Sequence, residues 1–171
     1  LWLIHGSGDD QTSWLGEGYL LRFVHQYASE GGREMIIVTP DGLTDFYMGA
    51  YENYFFKELM PEVESKFKVK KGREYRTVAG LSMGGRQTAA LSRKYPSMFG
   101  YVGMFSGVVP PEVDEATGKD MTLDAVFAAK PKLYWIACGK TDGVMANSKL
   151  LKEYCDAKGY PAELYESEGG H

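Results

Sequence analysis

The sequence predicts a single α/β domain over residues 1–171, a mostly parallel sheet with helices on both faces. Short apolar runs rich in β-forming residues recur along the chain, each nearly continuous rather than alternating, which marks strands covered on both sides. Segments with helical period lie between those runs, so strand and helix alternate throughout. A chain of 171 residues, 44% hydrophobic and 25% charged, is large enough for one well-buried core.

Taken in order, Leu1 to Ile4 reads as the first strand and Leu20, Leu21, Val24, Tyr27 and Ala28 as the apolar stripe of a helix. Met35 to Val38 reads as a second strand. Tyr51, Phe55, Leu59, Val63 and Phe67 share one face of a helix that Pro61 should kink, because proline lacks the N–H a helix interior needs. Thr77 to Leu81 is the next strand and runs directly into a helix from Met83 to Tyr95. Tyr101 to Phe105 and Leu133 to Cys138 are further strands, and the stretch between them from Gly107 to Met121 reads as a long polar loop, functional or mobile. A helix carrying Leu151, Tyr154, Cys155 and Lys158 follows, and the alternating run from Ala162 to Glu166 reads as an edge strand. Right-handed crossovers then place helices on both faces of the sheet.

Composition removes several classes of function. A net charge of -4 and a pI near 5.4, with no Lys/Arg run interleaved with aromatics, argue against a nucleic-acid partner or an anionic membrane. No apolar run approaches the roughly 18 residues that span a bilayer, and no segment has the order of a signal peptide. The chain opens at Leu1 inside an apolar run and stops at His171 after Gly169-Gly170, so both ends read as cut. The two cysteines, Cys138 and Cys155, have no metal-ligand spacing and read as small buried hydrophobes, with one bridge open to them in an oxidising compartment.

Ligands of an open parallel sheet bind beyond the carboxyl ends of its strands. At one such end stands Gly80-Leu81-Ser82-Met83-Gly84, an apolar strand entering a Gly-flanked Ser and then a helix. The glycines let the chain turn so tightly that the hydroxyl stands at the apex, beside the positive end of the helix dipole. The bland alternative is a glycine-rich turn with Ser82 as an ordinary helix N-cap. A serine nucleophile needs a base, and the chain holds three histidines. His171 follows the last strand, as the order Ser, acid, His requires, whereas His25 sits in a helix and His5 shapes the first loop. The acid is Asp142, after the strand ending at Cys138; Asp120, Asp124 and Asp156 follow no strand end. Its role would be to fix the imidazole tautomer, and the alternative is a plain Asp-Gly turn. The backbone amides of Ser7, in His5-Gly6-Ser7-Gly8, and of Met83 are the expected oxyanion donors.

These residues resemble the esterase-D-like α/β-hydrolases that include feruloyl and acetylxylan esterases of carbohydrate esterase family one. The resemblance is carried by Leu3 to Gly8 with Trp14 downstream, Ile37-Val38-Thr39-Pro40, Tyr51-Glu52-Asn53, Gly80 to Gly85 with Arg86-Gln87-Thr88, Ile136 to Gly139 before Asp142, and Gly169-Gly170-His171. It implies an α/β-hydrolase fold lacking, in this chain, the first strands and a helix after the catalytic His. A chain ending at its own general base would hold His171 loosely. The resemblance also implies a secreted or periplasmic enzyme that needs no cofactor or metal and releases feruloyl groups from xylan oligosaccharides. Trp14, Phe46, Tyr47 and Tyr51 could line a flat pocket for a phenolic acyl group, with core packing as the alternative for each, and Gln87-Thr88 and Tyr51-Glu52-Asn53 lean toward feruloyl esterases, which makes Gln87 a further substrate-contact candidate. An acetylxylan, short-chain acyl or S-formylglutathione esterase is the neighbouring alternative. A non-catalytic module that binds carbohydrate or protein is the alternative from another class.

Overall fold

The structure is a computed structural model and describes residues 1–41 and 49–171. Five parallel strands form one sheet in the order β1 (Trp2–Ile4), β2 (Thr77–Leu81), β3 (Tyr101–Phe105), β4 (Leu133–Gly139) and β5 (Glu163–Ser167). The register aligns Ile4 with Gly80, Leu81 with Phe105, Phe105 with Ala137 and Gly139 with Ser167. The carboxyl ends therefore lie along one rim, and the loops that follow all start there.

Side-chain alternation sorts the sheet into two faces. The rows Trp2, Val78, Val102, Tyr134 and Ile4, Gly80, Met104, Ile136 point to one side, and their apolar members are buried. That face packs on α5 (Met83–Lys94), α6 (Met121–Ala128) and α7 (Met145–Lys158), with Leu91, Leu123 and Leu151 filling the interface. On the other face Leu3 and Ala79 are buried, while Phe105 and Trp135 are half-buried; Trp14 stands edge-on to Phe105 and Trp135 stacks on Tyr165. The alternation from Ala162 to Glu166 is realised as β5, an edge strand with Glu163, Tyr165 and Glu166 exposed.

Three elements depart from the sequence-based expectation. Met35 to Val38 forms no strand; it touches β1 through one bridge, Trp2 to Val38, with the Leu3 amide donating to the Val38 carbonyl and the Val38 amide to that of Leu1. Its apolar content suggested burial on both faces, but Met35 is 48% exposed and no described strand pairs its outer side. The helix α2 (Leu20–Ser29) forms as expected, next to the short α1 (Ser13–Gly16), yet none of its residues is buried and Leu21 is 59% exposed. Its stripe fixes the helical period without fixing what the stripe faces. The helix around Pro61 is not a single α-helix. It is divided into α3 (Gly49–Tyr54), a π-helical turn (Phe55–Leu59) and α4 (Met60–Lys66). Pro61 sits in the first turn of α4, where its missing N–H costs nothing, and the Met60 amide reaches back to the Phe55 carbonyl.

The stretch from Gly107 to Met121 is pinned rather than loose. Arg93 of α5 donates to the carbonyls of Val109 (2.7 Å) and Pro110 (3.2 Å) and pairs with Asp120 at 3.4 Å, with both charged side chains buried. Asp120 also caps α6, accepting from the amides of Thr122 and Leu123, and takes the Glu112 amide. Its removal would leave the Arg93 cation buried without its partner. Asp120→Ala is therefore expected to cost about 3–5 kcal/mol, read as a lower urea midpoint at an unchanged slope. Cys138 and Cys155 are both free and buried, as the sequence implied, and burial pushes the Cys155 thiol up to about 11, which keeps it unreactive.

Candidate active site

The strand β2 ends in a corner that only small neighbours allow. Ser82 adopts φ 54° and ψ -112°, a left-handed backbone that a serine holds only where its surroundings enforce it. Its amide donates to the Phe105 carbonyl at 2.8 Å, and its carbonyl accepts the Arg86 amide at 3.1 Å. Two residues on, a Cβ placed on Gly84 would lie 2.4 Å from the Ile4 carbonyl oxygen, so α5 can start this close to β1 only through glycine. Ser82 holds the N-cap position of α5 without making a side-chain cap bond. Its hydroxyl is directed elsewhere.

The Ser82 Oγ lies 2.8 Å from His171 Nε2, and His171 Nδ1 lies 2.9 Å from Asp142 Oδ2. Ionised carboxylate oxygens only accept, so Nδ1 carries the proton, and in the neutral ring Nε2 is then the acceptor for the serine hydroxyl. The imidazole is thus held as the tautomer a general base requires. The Asp142 side chain is 2% exposed and that of His171 50% exposed: the acid is shielded from water and the base faces the solvent side. Burial pushes the Asp142 carboxyl up, but the Val144 amide, the Ser106 hydroxyl and His171 together outweigh it and hold it below the usual carboxylate range. Asp142 also forms the expected tight turn, with its amide on the Gly139 carbonyl at 3.0 Å. The turn and the contact with His171 coexist at this residue.

The segment that leads to His171 is hydrogen-bonded to its neighbour. The Lys140 amide donates to the Ser167 carbonyl and the Thr141 amide to that of Gly169, each at 2.9 Å, and Lys140 pairs with Glu168. These bonds lash the segment that follows β5 to the loop that carries Asp142.

The remaining site candidates fall at varied depths. Met83 opens α5, so its amide has no acceptor within the helix, and Ser7 is exposed in the loop beyond β1. That loop is braced by the Gly6 amide on Asp9 and by His5, buried with Nδ1 2.7 Å from the Gly6 carbonyl oxygen and Nε2 3.6 Å from Asp41. Trp14 is half-buried against Phe105, whose carbonyl accepts the Ser82 amide. Tyr51 is fully buried, its ring packed against Phe55, and its burial pushes the phenol far up. Gln87 is 1% exposed on α5, and Tyr47 and Phe46 lie outside the described residues. Ser106, Phe105 and Val144 complete the surroundings of the three central residues and were not found from the sequence; a polar residue directly after a buried strand was the available signal for Ser106.

A parallel sheet whose rim gathers a Ser at a strand-to-helix corner, a buried acid two strands over and a His beyond the last strand defines an α/β-hydrolase. Within that class the chain belongs to the Esterase family, whose model matches residues 1–158. It is 30% identical over 181 residues to the endo-1,4-beta-xylanase/feruloyl esterase of Xylanibacter ruminicola, covering 99% of this chain and 23% of that protein. To the acetyl esterase of Caldicellulosiruptor saccharolyticus it is 22% identical over 209 residues, covering the whole chain and 76% of that enzyme. Among solved structures it is similar to the CE1 ferulic acid esterase of Anaeromyces mucronatus, with a TM-score of 0.80, 26% identity, 98% of this chain covered and 70% of the other. The resemblance read from the motifs is borne out, and the family is one of carboxylic ester hydrolases. Among the described residues no helix is long and apolar enough to cross a membrane.

Proposed function

We propose that the chain is a serine esterase that releases hydroxycinnamic acids, feruloyl groups foremost, from xylan oligosaccharides outside the cell. The observation that carries the serine chemistry is the unbroken hydrogen-bond chain from the Ser82 hydroxyl through His171 to buried Asp142. His171 Nε2 takes the Ser82 proton as Oγ attacks the ester carbonyl, and the amides of Ser7 and Met83 receive the oxyanion. His171 then protonates the departing sugar oxygen. Water enters, gives its proton to His171 and attacks the acyl-enzyme, and Ser82 regains its hydrogen as the free acid leaves. Asp142 remains ionised throughout and stabilises the imidazolium.

The feruloyl assignment is supported by the names of the relative at 30% identity and of the solved structure at 26%. Trp14, half-buried beside Phe105, supports this reading as a candidate to face a phenolic ring. The likeness to a named acetyl esterase over the whole chain favours small acyl groups as the second reading. A substrate panel separates them: kcat/KM for methyl ferulate, p-nitrophenyl acetate and S-formylglutathione, with release of ferulate from feruloylated arabinoxylan oligosaccharides. The feruloyl reading expects methyl ferulate to be favoured over a methyl ester lacking the phenolic ring by at least tenfold, about 1.4 kcal/mol. Equal rates on acetate and ferulate would move the assignment to a short-chain esterase.

A further inference from the structure

We infer that Gly139, the last residue of β4, positions His171: having no side chain, it lets residues 168–171 cross the end of the acid's strand at the height that sets the imidazole between Asp142 and Ser82. This rests on the serine reading proposed above, and Gly139 is a positioning residue that touches neither substrate nor the reacting atoms.

The crossing is imposed by the sheet. Between β5, which leads to the base, and β2, which ends at Ser82, stand β4 and β3. Neighbouring strands lie about 4.8 Å apart, so the chain must cover about 14 Å sideways to bring the base to Ser82. Residues 168–171, extended, span at most about 14 Å. The path therefore has little slack, and it runs directly over the end of β4.

At that point the fit is exact to within an atom. A Cβ built on Gly139 would stand 2.2 Å from the Gly170 carbonyl oxygen and 2.5 Å from that of Gly169. Non-bonded heavy atoms rest about 3.5–4 Å apart, so a side chain here would lift the crossing segment by about 1 Å or more. The strand is the firmer of the two partners. Gly139 is buried, is paired in register with Ser167, and accepts the Asp142 amide on its carbonyl at 3.0 Å. The segment above it is exposed and is held by the Lys140 amide on the Ser167 carbonyl and the Thr141 amide on that of Gly169, each at 2.9 Å. One turn, from Gly139 to Asp142, thus carries the acid and fastens the base. The Gly139 backbone lies outside the left-handed region, so alanine differs from glycine there by this contact alone. Gly170 offers the contrast: a Cβ on it would meet only Thr141 Oγ1, at an ordinary 3.7 Å.

Gly139→Ala is expected to lower kcat on methyl ferulate about 100-fold with KM within about twofold, because a shift of about 1 Å in a catalytic group costs the reaction and not substrate binding. Its urea midpoint should stay at the wild-type value, since the segment that yields is exposed. Gly170→Ala, next to the base in sequence, should keep kcat within about twofold, because its methyl group has room. A double-mutant cycle separates positioning from a general loss of structure. In a His171→Ala background, where the oxyanion amides and binding surface still hold turnover about 10³–10⁴ above water, adding Gly139→Ala should change kcat by less than about threefold, since the group it acts through is gone. A full 100-fold loss in that background would overturn the proposal. So would wild-type kcat in Gly139→Ala alone, an equal loss in Gly170→Ala, or a Gly139→Ala variant that no longer folds, since the strand would then be what yields. If His171→Ala itself keeps wild-type turnover, the serine reading falls, and the proposal with it; a disabled His171→Ala beside an unaffected Gly139→Ala removes the proposal alone.

Discussion

Ser82→Ala is expected to lower kcat on every ester substrate by about 10⁶-fold, with an unchanged unfolding curve. The size follows from the part the hydroxyl plays. In the proposed reaction it is the atom that forms the acyl-enzyme, and the remaining groups, the oxyanion amides and the binding surface, supply only about 10³–10⁴ over the uncatalysed reaction. The unchanged fold follows from how Ser82 is held. Its structural bonds are made by its amide to Phe105 and its carbonyl to Arg86, and its side chain makes no cap bond, so alanine keeps every backbone contact. Alanine also meets the same left-handed backbone at φ 54° that serine does. Turnover of methyl ferulate by the purified variant, beside its urea unfolding curve, checks both halves. A variant that folds and keeps more than about a thousandth of wild-type turnover is incompatible with this role.

Asp142→Asn is expected to cost about 10⁴ in kcat, again with the fold intact. The Val144 amide points at Oδ1 from 2.9 Å and requires an acceptor, so the asparagine oxygen must face it. The NH₂ group is then turned toward His171 Nδ1, at 2.9 Å in the wild type. Two donors cannot share that contact, and the imidazole moves its proton to Nε2, where it can no longer accept from Ser82. The loss is therefore one of tautomer rather than of charge alone. A pH dependence accompanies it. The folded-state pKa of Asp142 is depressed, so its contribution to stability is fully present above the unfolded-state value near 3.9 and is lost as pH falls through the folded one. The gap in unfolding free energy between wild type and Asp142→Asn should narrow steadily below about pH 4. A gap that widened with acid would mean that the carboxyl is not held in its ionised form.

Much of this was legible in the sequence because the relevant signals are local. Continuous apolar runs located four of the five sheet strands and an alternating run the fifth, and the pattern Gly80 to Gly84 at a strand-to-helix junction marked Ser82, since only glycine tolerates the close approach there. Chain order and the scarcity of histidine were enough to pair it with Asp142 and His171, which the fold brings within hydrogen-bond distance. What escaped depends on contacts distant in sequence. Nothing in Met35 to Val38 tells that its outer side has no described partner, and nothing in the α2 stripe tells what it faces. The helix after Asp120 was overlooked although an acidic cap followed by an apolar turn was present; the polar stretch before it hid the signal. Arg93 stands out in no motif, and it is the buried pin of the loop from Gly107 to Met121.

Whether Ser82 is an activated nucleophile decides the rest, and intact mass after incubation with a fluorophosphonate, on wild type and Ser82→Ala side by side, measures it directly. A single adduct on wild type that is absent from the variant is the expected result. No adduct on folded wild type, or an adduct of equal mass and extent on both, would contradict the assignment.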